Sequence, residues 1–192
     1  IEIAVDIRRR FREYSEGTLT LSAGIGIYQS SYPVSSMANE VAVLEDASKG
    51  YPGKNAVTLF EDGSFHEINH KNERYIISDG TYSWEEFEDK VIDEKYEAIK
   101  DFFDSVSGYG NSFLYKLLEL IRQQEEDRIN FARYVYLLSR MEPDNKSEKE
   151  QLEAYRIFSR KMYEWVQRVE DRRQLKTAIT IYVYINREGE NN

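Results

Sequence analysis

Apolar residues recur every three or four positions at the start of the chain, at Ile3, Ile7, Phe11 and Tyr14, with Arg8, Arg9, Arg10 and Arg12 between them. That spacing predicts an amphipathic helix over 1–14, closed by Ser15-Glu16-Gly17. The period then drops to two. Leu19, Leu21, Ala23, Ile25 and Ile27 alternate as in a strand over 18–28, with Gly24 and Gly26 on the opposite face. Two glycines on one face weaken a strand and suit a place where a helix, a backbone or a ligand approaches closely. After Pro33 a helix is predicted over 35–48 with Met37, Val41 and Leu44 as its apolar stripe. The turn Gly50-Tyr51-Pro52-Gly53 then leads into a strand over 56–60. Helix, strand, helix, strand in this order make an α/β unit.

Residues 61–83 read as strands and turns around Asp62-Gly63 and Asp79-Gly80, dipeptides that supply left-handed turn conformations. From there the text is helical. Ser83 and Glu86 form a capping box before a long helix over 84–106, with Phe87, Val91, Ile92, Ile99 and Phe102 on one side. Gly108-Tyr109-Gly110 interrupts it, and helices follow over 112–124 and 127–141, the second with Phe131, Tyr134, Val135 and Leu138 in phase and Pro143 as its stop. Ser147 and Glu150 make a second capping box ahead of Leu152, Tyr155, Phe158, Met162, Trp165 and Val169. The stretch 175–185 is β-branched and aromatic enough for a strand, but its setting favours a helix. These patterns divide the chain near 79–83 into an α/β part, 1–80, and an all-helical part, 81–192.

Composition narrows the class. With 192 residues, 41% of them hydrophobic, and a net charge of −9, the chain reads as a soluble, acidic, globular protein able to bury a core without staples. The charge splits into −4 for 1–80 (8 basic, 12 acidic) and −5 for 81–192 (18 basic, 23 acidic). No cysteine is present, which excludes disulfide scaffolds, thiol nucleophiles and cysteine-based metal sites and suits the cytoplasm. No apolar run reaches the roughly 20 residues needed to span a bilayer, so no membrane partner is expected. An opening at Ile1, with neither methionine nor signal peptide, suggests a fragment.

His66-Glu67-Ile68-Asn69-His70 matches the H-E-x-x-H pattern of zinc peptidases and contains both histidines of the chain. That chemistry needs a helix, since only there do residues four apart share one metal. The segment carries no helical stripe, and on a strand the two imidazoles would stand about 13 Å apart. Two exposed polar histidines are the simpler expectation, and no metal ligand set is assigned. Gly24-Ile25-Gly26 lacks the third glycine and the helix start of a dinucleotide fingerprint. The fifteen tyrosines sit mostly at core spacing, which favours packing over base stacking. Residues 85–104 hold nine acidic residues and three lysines and read as a solvated helix face. The last helices carry Arg156, Arg160, Lys161, Arg168, Arg172, Arg173 and Lys176, a basic stripe that could meet phosphates or an acidic neighbour, or pair locally with Glu153, Glu164 and Glu170.

Three motifs together carry a resemblance: Leu19-Thr20-Leu21-Ser22-Ala23-Gly24-Ile25-Gly26-Ile27, then Leu44-Glu45-Asp46-Ala47-Ser48-Lys49, then Gly53-Lys54-Asn55. With Tyr32-Pro33-Val34-Ser35 they look like the second half of a nucleotidyl-cyclase-type palm, of ferredoxin-like α+β fold. Ser83-Trp84-Glu85-Glu86-Phe87, the run from Arg128 to Tyr134 and the tyrosine-rich ending extend the likeness over nearly the whole chain. The chain resembles the C-terminal part of the large subunit of type III-A CRISPR effector complexes, in which half a palm precedes a helical bundle.

The resemblance implies that the intact subunit converts ATP into cyclic oligoadenylates when target RNA is bound and cleaves single-stranded DNA, with ATP and divalent Mg or Mn as cofactors. The family's Gly-Gly-Asp-Asp turn and nuclease His-Asp pair do not occur here, so no catalytic residue is assigned to this chain, the fragment alone is expected to be inactive, and it is expected to hold no cofactor by itself. Phosphoryl transfer needs convergent carboxylates around metal ions, whereas Asp46, Asp62 and Asp79 are scattered over helix and turns. What the chain offers is phosphate holding, by Lys49 and Lys54 with Ser22 and Asn55 as further nucleotide contacts. The alternative is structural: Lys54-Asn55 closes a turn and Lys49 complements a helix C-terminus. Implied partners are the small helical subunits, the guide-end-binding subunit, and nearby guide and target RNA, with Arg156, Arg160, Arg168, Arg172 and Arg173 as candidate contacts. A non-catalytic scaffold built on a degenerate palm is the competing reading, and a zinc peptidase the third.

Overall fold

Three short strands form the sheet of the first part: β1 (Ala23–Ile25), β2 (Ala56–Leu59) and β5 (Thr81–Ser83), in the order β1-β2-β5. The structure, a computed structural model, describes residues 1–60, 63–106, 109–123, 128–143 and 149–186. It divides into two units, Ile1–Lys90 and Val91–Asn192. In the first, β1 and β2 run parallel with Ala23 opposite Val57, and β5 returns antiparallel with Tyr82 opposite Val57. Helix α2 (Val34–Lys49) makes the crossover and lies on this sheet through Leu44 and Ser48. A Cβ on Gly24 would stand 2.6 Å from both Val41 O and Glu45 N, so α2 seats on the bare face at Gly24, while a Cβ on Gly26 would meet the Tyr28 ring.

Several expectations are corrected here. Helix α1 (Glu2–Tyr14) forms, but its apolar stripe faces outward: Ile3, Ile7 and Tyr14 are 76%, 53% and 89% exposed, and the residue it buries is Arg8. An ion pair, not the apolar stripe, sets the face that meets the rest of this unit. The strand predicted over 18–28 shrinks to three residues, because its partner β2 is only four residues long and gives 18–22 nothing to pair with. Gly80 does not adopt a left-handed conformation. It is required for close approach, since a Cβ there would lie 1.9 Å from Leu59 O, and its own carbonyl accepts from Leu59 N at 2.9 Å. Gly63 is wound left-handed (φ 78°), as the Asp62-Gly63 dipeptide predicts, and a further tight turn falls at Lys71-Asn72 (φ 50° and 67°), which joins β3 (Phe65–His70) to β4 (Glu73–Ser78) in a separate two-stranded hairpin. Asp62 lies outside the described residues.

The Ser83 cap is present, with Glu86 N donating to Ser83 Oγ at 3.1 Å. It starts α3 (Trp84–Glu86), which continues as a wide, π-wound stretch, Phe87–Tyr96, and then as α4 (Glu97–Ser105). Buried positions here repeat every four residues, at Phe87, Val91, Lys95 and Ile99, matching the wider winding and bringing a lysine inside. Gly108, Asp127 and Ser147 of the predicted breaks and caps lie outside the described residues. In the second unit follow α5 (Asn111–Gln123), α6 (Arg128–Arg140), α7 (Lys149–Gln167) and α8 (Val169–Ile185). Val169 therefore opens α8 rather than ending α7, because Arg168 takes an extended conformation (φ −102°, ψ 138°). The stretch 175–185 is helical, as its setting predicted: α8 is buried from Arg173 to Ile179 on every side, a position where β-branched residues pack well and propensity is overridden. Aromatic rings fill this unit, with Phe102 stacked on Phe158 at 4.1 Å and Tyr109 on Tyr155 at 5.6 Å. Tyr134 Oη donates to Met162 O at 3.2 Å, and Tyr155 Oη donates to Leu138 O. Burial pushes both phenol pKa values up, so these tyrosines are packing groups.

Candidate functional site

The parallel pairing of β1 and β2 brings the positions of the four proposed nucleotide contacts to one end of the sheet, the edge at which both strands begin. Ser22 immediately precedes β1, Lys54 and Asn55 immediately precede β2, and Lys49 ends the crossover helix that returns to that edge. Trp84 holds the edge together: its Nε1 donates to Leu21 O at 2.8 Å, and its backbone N donates to Asn55 O at 3.3 Å. Glu85, the next residue, accepts from Asn55 Nδ2 at 3.5 Å and pairs with Arg8 and, at 3.7 Å, with Arg12. Arg8 also reaches Glu88 at 3.1 Å.

The Glu85 carboxyl sits below its ordinary pKa: partial burial raises it, but its own backbone N–H and the Arg8 and Arg12 guanidiniums more than offset this. Sequence reasoning missed Arg8, Arg12, Trp84 and Glu85 as supports of the edge, and only the tertiary pairing reveals them.

Each candidate has a distinct chemical state. The Ser22 hydroxyl is buried and makes no hydrogen bond, so it is a donor without an acceptor. Lys49 is half exposed, 2.9 Å from Glu45 and 3.6 Å from Asp46, and the hydrogen bond to Glu45 raises its pKa, keeping it charged. Gly53, Lys54 and Asn55 are wound left-handed in succession (φ 80°, 59° and 38°). For a lysine this conformation costs about 1 kcal/mol or more, and such strain gathers at functional turns. Lys54 is exposed. A buried unused hydroxyl, two ammonium groups and a tight turn fit phosphate oxygens. For a metal the chain fits less well: among the described residues no group of three His, Asp or Glu side chains is placed to hold one.

The H-E-x-x-H segment is strand β3, so its histidines cannot share an ion. His66 is not the exposed residue expected from sequence. Its Nδ1 lies 3.1 Å from Asp79 Oδ1, and its side chain is largely buried on strand β3 opposite the buried Ile77; His70 is exposed. A cleft of about 380 Å³ lined by Tyr28, Glu40, Val43, Leu44 and Phe60 opens at the other end of β1 and β2, away from Lys49 and Lys54, and none of the four candidates lines it.

Of the candidate RNA or subunit contacts, Arg156 and Arg160 lie one turn apart on the exposed side of α7, although Arg156 pairs with Glu142 at 3.0 Å. Arg168 is exposed at the α7–α8 corner, and Arg172 is half-buried there, 3.4 Å from Val166 O. Arg173 is 3% exposed and bound to Glu170 at 2.8 Å, a local pairing of the kind weighed above. The acidic helix after Trp84 is not wholly solvated: Glu94 and Asp171 neutralise buried Lys95, at 3.5 and 3.0 Å, beneath the Trp165 ring.

Comparison with known proteins matches both units. Residues 1–58 match the second palm domain of Cas10/Cmr2, and residues 100–188 match the second helical domain of the Cmr2 subunit of the CRISPR RNA silencing complex. A protein of Mycobacterium tuberculosis described as the CRISPR system single-strand-specific deoxyribonuclease Cas10/Csm1 (subtype III-A) is 41% identical over 190 residues, 99% of this chain and 21% of the relative. Proteins of the same description from Streptococcus thermophilus and Enterococcus italicus are 34% and 35% identical, over 96% and 99% of this chain and 22% and 21% of theirs. The chain thus spans about a fifth of the length of these curated relatives. No described helix is long and apolar enough to cross a membrane. Matched in its palm half and in its helical half alike, the chain belongs to the Cas10/Csm1 family, the large subunits of type III-A CRISPR systems.

Proposed function

We propose that this chain completes the ATP-binding palm of a type III-A large subunit which, on target RNA binding, makes cyclic oligoadenylates and cleaves single-stranded DNA. The observation that carries the nucleotide role is the placement of Ser22, Lys54 and Asn55 at the same end of the parallel β1–β2 pair, with Lys49 ending the crossover helix before the turn into β2, together with a buried hydroxyl that has no partner. ATP with Mg or Mn would supply the electrophilic phosphorus and its charge neutralisation. The residues of this chain bind and orient: Lys49 and Lys54 meet triphosphate oxygens as point charges, Ser22 donates one hydrogen bond, and Asn55 fixes the turn against Glu85. The carboxylates for the metal come from outside this chain, so the fragment by itself is inactive.

The helical unit docks on neighbouring small helical subunits and on the guide-end-binding subunit, close to guide and target RNA, with Arg156, Arg160 and Arg168 as its outward charges and Arg172 at their border. The cytoplasm is the compartment such a complex requires. Charge reversal of Lys49 and Lys54 in the intact subunit is expected to lower oligoadenylate synthesis and leave target RNA binding unchanged. Unaltered ATP affinity and synthesis would overturn the assignment and favour the scaffold reading.

A further inference from the structure

Helix α6 has a charge pattern that no other described helix shares. Its thirteen residues, Arg128–Arg140, include three arginines and no carboxylate, whereas every other described helix carries at least one Asp or Glu in a chain of net charge −9. The carboxylates nearest in sequence, Asp127 and Glu142, lie beyond its two ends. Its inner side is spent on packing, with Tyr134 and Leu138 buried. On the outer side Ile129, Arg133, Tyr136 and Arg140 follow one another at steps of four, three and four residues, a single stripe about 16 Å long.

All four are exposed, Ile129 at 49% and Tyr136 at 64%. Arg133 uses one N–H on Asn130 Oδ1 at 3.1 Å and keeps the rest of its fork outward. Among the described residues neither Arg133 nor Arg140 has a carboxylate within ion-pair distance. An exposed phenol ring flanked by two such guanidiniums is the arrangement that holds one strand of nucleic acid, with phosphates on the arginines and a base on the ring. A duplex does not offer it a base face, because its bases are already stacked.

We propose that this face of α6 is a track for single-stranded DNA. The proposal rests on the reading of the intact subunit as a single-strand deoxyribonuclease, as its relatives are described, and adds where the substrate strand runs.

The test uses the intact large subunit and a fluorescent thymidine oligomer, with affinity read by anisotropy over a range of salt. Replacing both guanidiniums (Arg133→Gln with Arg140→Gln) is expected to flatten the dependence of log K on log salt by about 1.4, or about 0.7 for each phosphate no longer neutralised. The Arg→Lys pair is expected to keep the slope. Tyr136→Ala is expected to weaken binding on the order of tenfold at unchanged slope, and Tyr136→Phe to keep it. If the wild-type subunit neither binds nor cuts single-stranded DNA, the nuclease reading fails and the track with it. If it does both while the variants bind with wild-type affinity and slope, the track alone is overturned, as it is when the variants lose only RNA or a partner subunit.

Discussion

Arg8 grips Glu85 across 77 residues of sequence, and through that pair the first helix is tied to the turn that presents Lys54 and Asn55. The Arg8 side chain is nearly buried and divides its guanidinium between Glu85 and Glu88. Removing it leaves Glu85 and Glu88 without the guanidinium they share. Arg8→Ala is therefore expected to destabilise α1 and the adjoining turn by roughly 2 kcal/mol, the scale of a charge-assisted hydrogen bond. Amide exchange of α1 in the intact subunit reads this directly, and unchanged protection would show that other contacts hold the helix.

The same pair fixes a pH dependence. The Glu85 carboxyl has a lowered pKa in the folded state, so its contribution is fully present above its unfolded pKa and is lost as pH falls through the lower, folded value. Protection of α1 should hold across neutral pH and decline in the acid range. Glu85→Gln should remove that part of the acid sensitivity, and an identical acid profile in the variant would assign it to another group.

Ser22→Ala separates folding from function. The hydroxyl it deletes is buried and bonded to nothing, so stability should be unchanged or slightly higher. ATP affinity of the intact subunit should fall, by about 1 kcal/mol if the hydroxyl donates one ordinary hydrogen bond. A drop in stability with unaltered affinity would mark Ser22 as structural.

Gly24→Ala tests the seat of α2. The new methyl would meet backbone atoms of Val41 and Glu45 at 2.6 Å, and neither can rotate away. A loss of about 1–3 kcal/mol, seen as a lower midpoint in denaturant, is expected from such overpacking. Gly17→Ala is the contrast, since nothing lies within 4 Å of its Cβ and only its left-handed φ of 72° resists the change.

Legibility from sequence followed the physics that dominates each segment. Helices α5 to α7 are readable because burial repeats at the helical period there, whereas α8, buried on every side from Arg173 to Ile179, is readable only from its setting, and the β1–α2–β2 unit because glycine placement announces close packing. What failed was set by charge or by distant partners. The side α1 turns inward depends on Glu85 and Glu88, which no local pattern near Arg8 foretells. Likewise Lys95 is internal only because Asp171 and Trp165 come from α8 and α7 to receive it. The four phosphate-holding candidates could be named from motifs, but their shared edge follows from strand register, which a single sequence does not specify.

Trp84 works as a gauge block. One indole and its own amide bridge Leu21 and Asn55, so the spacing of the two segments that lead into β1 and β2 is set by a rigid, fully buried ring rather than by side chains that can rearrange. The frame that carries Ser22, Lys54 and Asn55 is thus held by residue 84, outside the motifs that bear the charges.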